Sequence, residues 1–266
     1  MMLRAIARRV LPTSMRQTLE CWIGGRRHHP HGVPVSYGYE LVEGEIPTEL
    51  SQGWLDPSVP ERQHLAFAPL IRQMFEGQPR EDFVALASAV TTTGLSDPLI
   101  IEVGCGSGWN SEVLPHLLGR SVRYIGLDYS AAMIALGSGC YPSAQFVVGD
   151  ATALPFIDGA CDILLSGTVL MHLLGYRQAI RECRRVTRKW SILHGVPVVQ
   201  NRSTAVLKKF AYGSPVVELV FNEQELLQLA GSNGMKVHRV FESFPYDLAD
   251  IFGEPTFNRT YLCKIM

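Results

Sequence analysis

The sequence predicts an α/β fold in which helices cover both faces of a mostly parallel sheet, with a helical cap in front of it. From residue 98 onward, short apolar runs alternate with amphipathic stretches. That alternation is typical of parallel strands joined by crossover helices. With 266 residues, 47% hydrophobic and 18% charged, the chain is long enough for one large domain.

The part before the sheet divides into a basic segment, residues 1–34, and a predicted helical cap or lid, residues 35–96. Residues 1–32 hold six arginines and one glutamate, whereas the whole chain has a net charge of −1. This charge predicts a weak contact with an anionic surface; a transit peptide and a solvated amphipathic helix are the alternatives. The cap follows from apolar residues at helical spacing between Pro60 and Ala89.

Residues 97–266 form the predicted core domain. Its first five strands are the apolar runs "PLIIEV", "VRYIGL", "AQFVVG", "CDILLS" and "WSILHGV". A later helix should begin at Asn222, because Glu225 follows it at capping-box spacing. The last two runs, "KVHRVFESF" and "RTYLCKI", have no long helix between them. We therefore expect them to pair as an antiparallel hairpin at one edge of the sheet.

Composition excludes several classes of protein. The six cysteines include no C-x-x-C pair, so we predict reduced thiols and no metal site. No apolar run approaches the roughly 18 residues of a membrane-spanning helix, which favours a soluble, cytoplasmic protein. Apart from the N-terminal arginines there is no basic tract, and no nucleic-acid partner is expected.

A glycine-rich turn, "GCGSG", follows the first core strand. A dinucleotide fingerprint needs glycines at positions i, i+2 and i+5, but the i+5 position after Gly104 is Trp109, which would obstruct a pyrophosphate. Glu102, two residues before the turn, repels a pyrophosphate and attracts an ammonium group. The helix N-terminus after the turn favours a carboxylate. The turn therefore predicts a zwitterionic amino acid as its ligand.

Carboxylates also end the next two strands. Asp128 can accept hydrogen bonds from two vicinal ribose hydroxyls, and Tyr129 beside it offers a flat face for a purine. Asp150, at the end of the third strand, can accept a hydrogen bond from an exocyclic amine. An amino acid, a ribose and an aminopurine would then bind side by side at successive strand ends.

These segments resemble the class I S-adenosylmethionine-dependent methyltransferases, particularly the type 11 branch of small-molecule enzymes. The similarity rests on "IEVGCGSG", "GLDYSAAMI", "GDATALPF" and "CDILLSGTVLMHL", which occur in the family's order. It implies a Rossmann-like, seven-stranded, mostly parallel sheet of order 3-2-1-4-5-7-6 with the last strand antiparallel. The chain departs from the family at "VTRKWSILHG", which lacks a Pro or Gly turn, and over residues 196–221.

The resemblance also implies an S-adenosylmethionine site formed by Glu102, Gly104, Cys105, Gly106, Gly108, Asp128, Tyr129, Met133, Asp150, Ala151 and Ser166. Glu102 would hold the methionine amino group, and the glycine turn would pack on the methionine and ribose. Asp128 would bind the ribose hydroxyls, and Ser166 would approach the methionine backbone atoms.

For the adenine, the resemblance implies that Tyr129 or Met133 contacts its face and that Asp150 and the Ala151 backbone contact its edge. Two structural roles stay open at this point. Asp150 would serve equally to cap the following turn, and Tyr129 would serve equally as a packing residue.

His172 and His194 are the candidate catalytic bases if the acceptor is a hydroxyl, because each follows a strand at the ligand-binding edge. Each is also a credible structural histidine. Holding an activated methyl donor in line with its acceptor supplies roughly 7–11 kcal/mol, and a general base adds about 10²–10⁴-fold. Methyl transfer therefore does not require a base.

The sequence thus predicts a methyltransferase for a small or medium organic acceptor, with O-methylation of a glycan, lipid or specialised metabolite favoured. Gln63 in the cap is expected to reach the cofactor. Two other classes remain open: a non-catalytic S-adenosylmethionine-binding regulator or assembly protein, and a nicotinamide-dependent oxidoreductase. Aromatic side chains suited to a water-excluding lid occur at Tyr37, Tyr39, Trp54, His64 and Phe67.

Overall fold

The computed structural model describes residues 35–266. The basic segment, 1–34, and the surface contact predicted for residues 1–32 lie outside the described residues. The cap contains not only helices but also a strand that pairs with the core. Its elements are β1 (Ser36–Leu41), α1 (Thr48–Gln52), α2 (Val59–Phe75) and α3 (Glu81–Thr92).

The five predicted core strands are present and pair in parallel in the order β4-β3-β2-β5-β6. They are β2 (Leu99–Val103), β3 (Arg123–Asp128), β4 (Gln145–Val148), β5 (Cys161–Gly167) and β6 (Thr187–Val199). The helices between them are α4 (Asn110–Leu118), α5 (Ala131–Cys140) and α6 (Tyr176–Val186).

Alternation along the strands places helices on both faces of the sheet. Ile100 packs in a buried cluster with Leu86 of α3 and Leu114 of α4. Its neighbour Ile101 points the other way, into a cluster with Ala179 and other residues of α6. β2 and β5 are therefore buried on both sides and are apolar runs with little alternation, whereas β4 lies at the edge of the parallel strands and is partly exposed.

The C-terminal part agrees with its prediction. Helix α7 (Glu223–Ser232) begins after Asn222, whose side chain accepts a hydrogen bond from the Glu225 backbone N–H. Two antiparallel strands follow, β9 (Met235–Glu242) and β10 (Phe257–Ile265), with only the four-residue helix α8 (Ala249–Phe252) between them. β10 also pairs antiparallel with β6, so that β9 lies outermost.

The predicted count of seven strands is wrong, because the sheet has ten. Residues 196–221, which no predicted element covered beyond the fifth strand, contain β7 (Ala205–Ala211) and most of β8 (Ser214–Asn222). The neighbours β4-β3-β2-β5-β6-β10-β9 are those of the predicted order, but the full order differs because β1, β7 and β8 extend it as β1-β7-β8-β6.

The length of β6 explains this extension. β5 pairs with β6 only as far as His194, and β8 pairs with the last residues of β6, Val198 and Val199. The extension therefore starts where β5 has ended, at the carboxyl end of the parallel strands, and stands beside the edge where ligands bind in such sheets. In the described part of the chain no helix has the length and apolar composition needed to cross a bilayer.

Candidate active site

A cavity of about 1850 Å³ lies at the carboxyl ends of the parallel strands. Its wall combines the turns after β2, β3, β4 and β5 with residues of the cap, of β7 and β8, and of the segment before α8. A typical ligand pocket has about 300–1,000 Å³. The cavity therefore has room for two ligands at once.

The glycine turn forms one end of the cavity, although not all of it is exposed there. Gly104, Gly106 and Gly108 have φ values of 72°, 56° and 83°, a region that favours glycine. Gly104 and Gly106 line the cavity. Gly108 packs under the ring of Phe146, and Cys105 is buried. Cys105 and Gly108 therefore lie behind the wall, and their contact with the ligand stays a prediction.

Glu102 also lies behind the wall, so that its predicted hold on the methionine amino group would act through water or through a neighbouring side chain. Its Oε1 accepts a hydrogen bond from Asn110 Nδ2 at 2.8 Å, and its Oε2 accepts one from the Tyr124 hydroxyl. Burial raises the pKa of Glu102 to about 7, against the opposing effect of these two hydrogen bonds. Asn110, the first residue of α4, does line the cavity. Sequence analysis missed it.

Asp128 lies on the wall, where the sequence predicts it. Its Oδ2 accepts a hydrogen bond from the Gly106 backbone N–H at 3.0 Å, and its Oδ1 accepts one from the Ser130 N–H at 2.9 Å. Each oxygen keeps a lone pair for a ligand. Burial raises the pKa of this carboxyl. Tyr129 and the buried Met133 line the same part of the cavity.

The structure brings Asp150 and Ala151 to the wall but not Ser166. Asp150 Oδ1 accepts hydrogen bonds from the Thr152 N–H and hydroxyl at 2.7 and 2.8 Å, so Asp150 also caps the following turn. The Ser166 side chain is buried away from the cavity. The next two residues, Gly167 and Thr168, line the cavity instead.

Gln63 of α2 lies above the glycine turn. Its Oε1 is buried without a hydrogen-bond partner, and a Cβ added to Gly106 would lie 2.7 Å from it. A buried acceptor without a partner is costly, which fits a ligand at this point. The ring of Trp109 covers the same glycine and stacks on Phe67 with centroids 3.9 Å apart. Trp109 thus occupies the approach that a pyrophosphate would need.

Both candidate histidines line the cavity. His172 Nδ1 lies 2.6 Å from the Val217 carbonyl oxygen, so it carries the proton and donates it. His194 Nδ1 lies 2.8 Å from the Thr260 hydroxyl. Burial lowers the pKa of each imidazole to about 4, and for His172 the nearby Lys209 contributes to this. Both histidines are therefore neutral at pH 7.

Sequence analysis missed the charged groups on the opposite wall. Lys209 of β7 forms an ion pair with Glu218 of β8, and both are almost completely buried. Arg80 pairs with Asp82 at the start of α3, and both line the cavity. No motif marks these residues, because they meet only through the pairing of β7 with β8 and the packing of the cap.

Comparison with known proteins agrees with this site. Residues 101–194 match a family model described as a methyltransferase domain. A probable S-adenosylmethionine-dependent methyltransferase of Mycolicibacterium smegmatis is 28% identical over 138 residues, 52% of each chain. A 2-phytyl-1,4-naphtoquinone methyltransferase of Thermosynechococcus vestitus is 33% identical over 32% of this chain and 40% of its own. The chain thus spans about half the length, or less, of these relatives.

Among solved structures, the fold is similar to 1,6-didemethyltoxoflavin-N1-methyltransferase of Burkholderia thailandensis, which contains S-adenosylhomocysteine. That similarity has a TM-score of 0.55 at 14% identity and covers 86% of this chain and 95% of the other. A methyltransferase of Methanosarcina mazei gives a TM-score of 0.53 at 18% identity, over 66% and 96% of the two chains. Residues 101–194 are therefore similar to the type 11 methyltransferase domain, and the chain has the fold of the S-adenosylmethionine-dependent methyltransferases.

Proposed function

We propose that the chain transfers a methyl group from S-adenosylmethionine to a small or medium organic acceptor, and that the acceptor atom is an oxygen. One observation carries this proposal: the polar atoms of Asn110, Asp128 and Gln63 converge around the Gly106 turn, in a cavity large enough for cofactor and acceptor together. The family and the names of its relatives support the cofactor.

Glu102 acts through Asn110 in this proposal. An ionised carboxylate only accepts hydrogen bonds, so it holds the Asn110 amide with Nδ2 toward Glu102. The Asn110 Oδ1 is then available to accept from the methionine ammonium group. Because Glu102 is buried, its negative charge also favours that ammonium through a medium of low dielectric constant.

We infer the remaining cofactor contacts from the residues that line the cavity. Asp128 accepts hydrogen bonds from the ribose hydroxyls, while its backbone partners hold both carboxylate oxygens in place. Tyr129 and Met133 enclose the adenine, and Asp150 with the Ala151 backbone contacts its edge. Arg80, which also lines the cavity, is the cation for the methionine carboxylate. When bound, S-adenosylmethionine supplies a methyl group already activated by a sulfonium.

The His172 imidazole takes the proton from the hydroxyl group of the methyl acceptor. Its Nδ1 is committed to the Val217 carbonyl, which leaves the Nε2 lone pair without a hydrogen-bond partner among residues 35–266. An imidazole with a low pKa is adequate for this task, because the oxygen becomes strongly acidic once it bears the methyl group. His194, which is bonded to Thr260, serves to position groups at the base of the cavity.

Calorimetric titration with S-adenosylhomocysteine tests the cofactor assignment. We expect Asp128→Asn to weaken binding about 100-fold, since charge-assisted hydrogen bonds contribute about 1.5–3 kcal/mol each. Asp162→Asn is the matched control. Asp162 is also a buried carboxylate that accepts a backbone N–H, from Leu99, but it lies at the other end of the sheet.

Two outcomes would replace the proposal. Tight binding of NADH without binding of S-adenosylhomocysteine would favour an oxidoreductase. Binding of S-adenosylhomocysteine without methyl transfer to a broad acceptor panel would favour a regulator or assembly protein. Equal affinities of wild type and Asp128→Asn would remove Asp128 from the cofactor site.

A further inference from the structure

One part of the cavity is here named the acceptor pocket. It lies under the β7–β8 hairpin and beside the short helical turn after β5. It is defined by Trp54, His172, Lys209, Tyr212 and Glu218, all of which line the cavity.

One buried donor in the acceptor pocket lacks a hydrogen-bond partner, and a ring nitrogen with a free lone pair lies on the neighbouring side chain. The Trp54 Nε1–H is buried and has no hydrogen-bond partner in the described part of the chain. Its ring packs on that of His172 with centroids 4.8 Å apart, and the His172 Nε2 is an acceptor without a partner. An unpartnered donor thus lies beside an unpartnered acceptor. One hydroxyl group satisfies both, because it accepts a hydrogen bond and donates another.

The charge of the acceptor pocket selects a neutral ligand. Lys209 is paired with Glu218, and the Tyr246 hydroxyl donates to the second oxygen of that carboxylate. Burial opposes both charges, but each holds the other ionised: the pKa of Glu218 is lowered and that of Lys209 is raised. The pair therefore has no net charge to attract a carboxylate or an ammonium ligand.

The ion pair still leaves donors for the ligand. An ammonium group has three N–H bonds, and Glu218 is the acceptor found for Lys209 among residues 35–266. The remaining N–H bonds can stabilise negative charge that develops on a nearby oxygen. This effect is useful for a phenol or an enol, whose oxygen ionises far more readily than that of an aliphatic alcohol.

Backbone strain marks the same place. Tyr212 has a φ of 50° in the two-residue turn between β7 and β8, followed by Gly213 at 87°. Such turns favour Asn or Gly at the first position, and a bulky residue there is strained. In this conformation the centroid of the Tyr212 ring lies 6.1 Å from that of Trp54, so that Tyr212 forms a second aromatic wall.

We propose that the acceptor pocket binds a planar ring bearing a neutral hydroxyl group, a phenol or an enol, which rests on the proposed function. The aromatic walls contact the ring, Trp54 and Lys209 donate to the hydroxyl oxygen, and His172 accepts its proton. A bond forms between that oxygen and the methyl carbon as the sulfur–methyl bond breaks, and the bonding electrons stay on sulfur. The products are a methyl ether, a thioether and a protonated His172.

Three probes with one ring system test this proposal: 1-naphthol, 1-naphthoate and 1-naphthylmethylammonium. Each is titrated by calorimetry into protein saturated with S-adenosylhomocysteine, and transfer of a labelled methyl group from S-adenosylmethionine is measured in parallel. We expect 1-naphthol to bind at least about tenfold more tightly than either charged probe and to be the one that is methylated.

Variants locate the probe. Trp54→Phe keeps the ring and removes only the N–H, so it should fold normally and weaken 1-naphthol binding about tenfold. Lys209→Met, in the fraction of the protein that folds, should also weaken 1-naphthol binding about tenfold. Lys208→Met is the control, because Lys208 is the adjacent residue on β7 and its ammonium lies over the Phe210 ring instead.

Each alternative result is decisive. Three results would overturn the acceptor assignment: tighter binding of either charged probe, no binding of 1-naphthol, or an unchanged 1-naphthol affinity in Trp54→Phe. The proposed function would still stand in these cases, provided that the protein binds S-adenosylhomocysteine. If the wild-type protein does not bind S-adenosylhomocysteine, the proposed function itself is overturned.

Discussion

The two halves of the cavity are built in different ways. The cofactor half is formed mainly by turns that directly follow β2, β3 and β4, so most of its residues occur in order along about 50 positions of sequence, and the cap adds Gln63 and Arg80. The acceptor half collects Trp54 from the cap, His172 from the turn after β5, and Lys209 from the β7–β8 extension. The comparison teaches that a shared cofactor can be recognised by local motifs, whereas the acceptor is selected by residues that only the fold brings together.

The largest expected effect lies in the acceptor half. Lys209→Met leaves Glu218 buried and unpaired, which should lower the free energy of unfolding by about 3–5 kcal/mol. Urea denaturation measures this loss. The double variant Lys209→Met with Glu218→Leu should recover most of the stability, because it removes both buried charges. A loss no larger than that of Lys208→Met would show that the two charges are not paired.

The second effect separates the two histidines. His172→Ala should lower kcat about 100-fold with S-adenosylhomocysteine affinity unchanged, and His194→Ala should lower it less than tenfold. Because burial lowers the pKa of His172 to about 4, its neutral form persists above that pH. The His172-dependent rate should therefore fall only as the pH drops toward about 4. A larger loss in His194→Ala than in His172→Ala would reverse the assignment.

The third effect is a pH dependence confined to the cofactor half. Burial raises the pKa of Glu102 to about 7, so the carboxyl of the free protein is protonated below that pH. A bound ammonium group favours the ionised form. S-adenosylhomocysteine affinity should therefore fall up to about tenfold per pH unit below 7 and level off above it. Calorimetry over this range measures the slope.

Glu102→Gln is the control for that slope, since it cannot ionise and should abolish it. The raised pKa also has a consequence for stability in the absence of cofactor. The contribution of Glu102 is fully present below its unfolded value of 4.5 and is lost as pH rises through about 7. An unchanged slope in Glu102→Gln would separate Glu102 from ligand binding.

The smallest effect distinguishes two glycines with similar backbones. Gly94 has a φ of 70° and open space around it, so Gly94→Ala should cost only the left-handed strain, roughly 1–2 kcal/mol. Gly106→Ala adds a contact with Gln63 Oε1 at 2.7 Å, and should weaken S-adenosylhomocysteine binding as well. Thermal unfolding and calorimetry on both variants measure the two costs. Equal behaviour would mean that Gly106 serves the turn alone.

The strands β2–β6 could be predicted because each contains an apolar run bounded by a turn or a helix. The position of Asp128 could also be predicted, because it ends such a strand. The direction of the Glu102 side chain could not be predicted, because it depends on hydrogen bonds from Asn110 of α4 and Tyr124 of β3. The burial of Ser166 could not be predicted either, because the strand ends beside it and the next two residues, Gly167 and Thr168, line the cavity instead.

The β7–β8 hairpin escaped prediction for a physical reason. Its turn is Tyr212-Gly213, and a tyrosine in a left-handed conformation is not a recognised hairpin signal. Inward-facing Lys209 and Glu218 also break the alternation of apolar and polar residues that marks a half-buried strand. Both departures from local preference coincide with the acceptor pocket, as expected where function outweighs local stability.

A crystal structure of the complex with S-adenosylhomocysteine tests the central claim most directly. The account predicts both ribose hydroxyls within hydrogen-bond distance of Asp128, the amino group on Asn110 Oδ1, and the sulfur directed toward His172. A nucleoside bound away from Asp128, or an amino group held by residues other than Asn110 and Glu102, would contradict it.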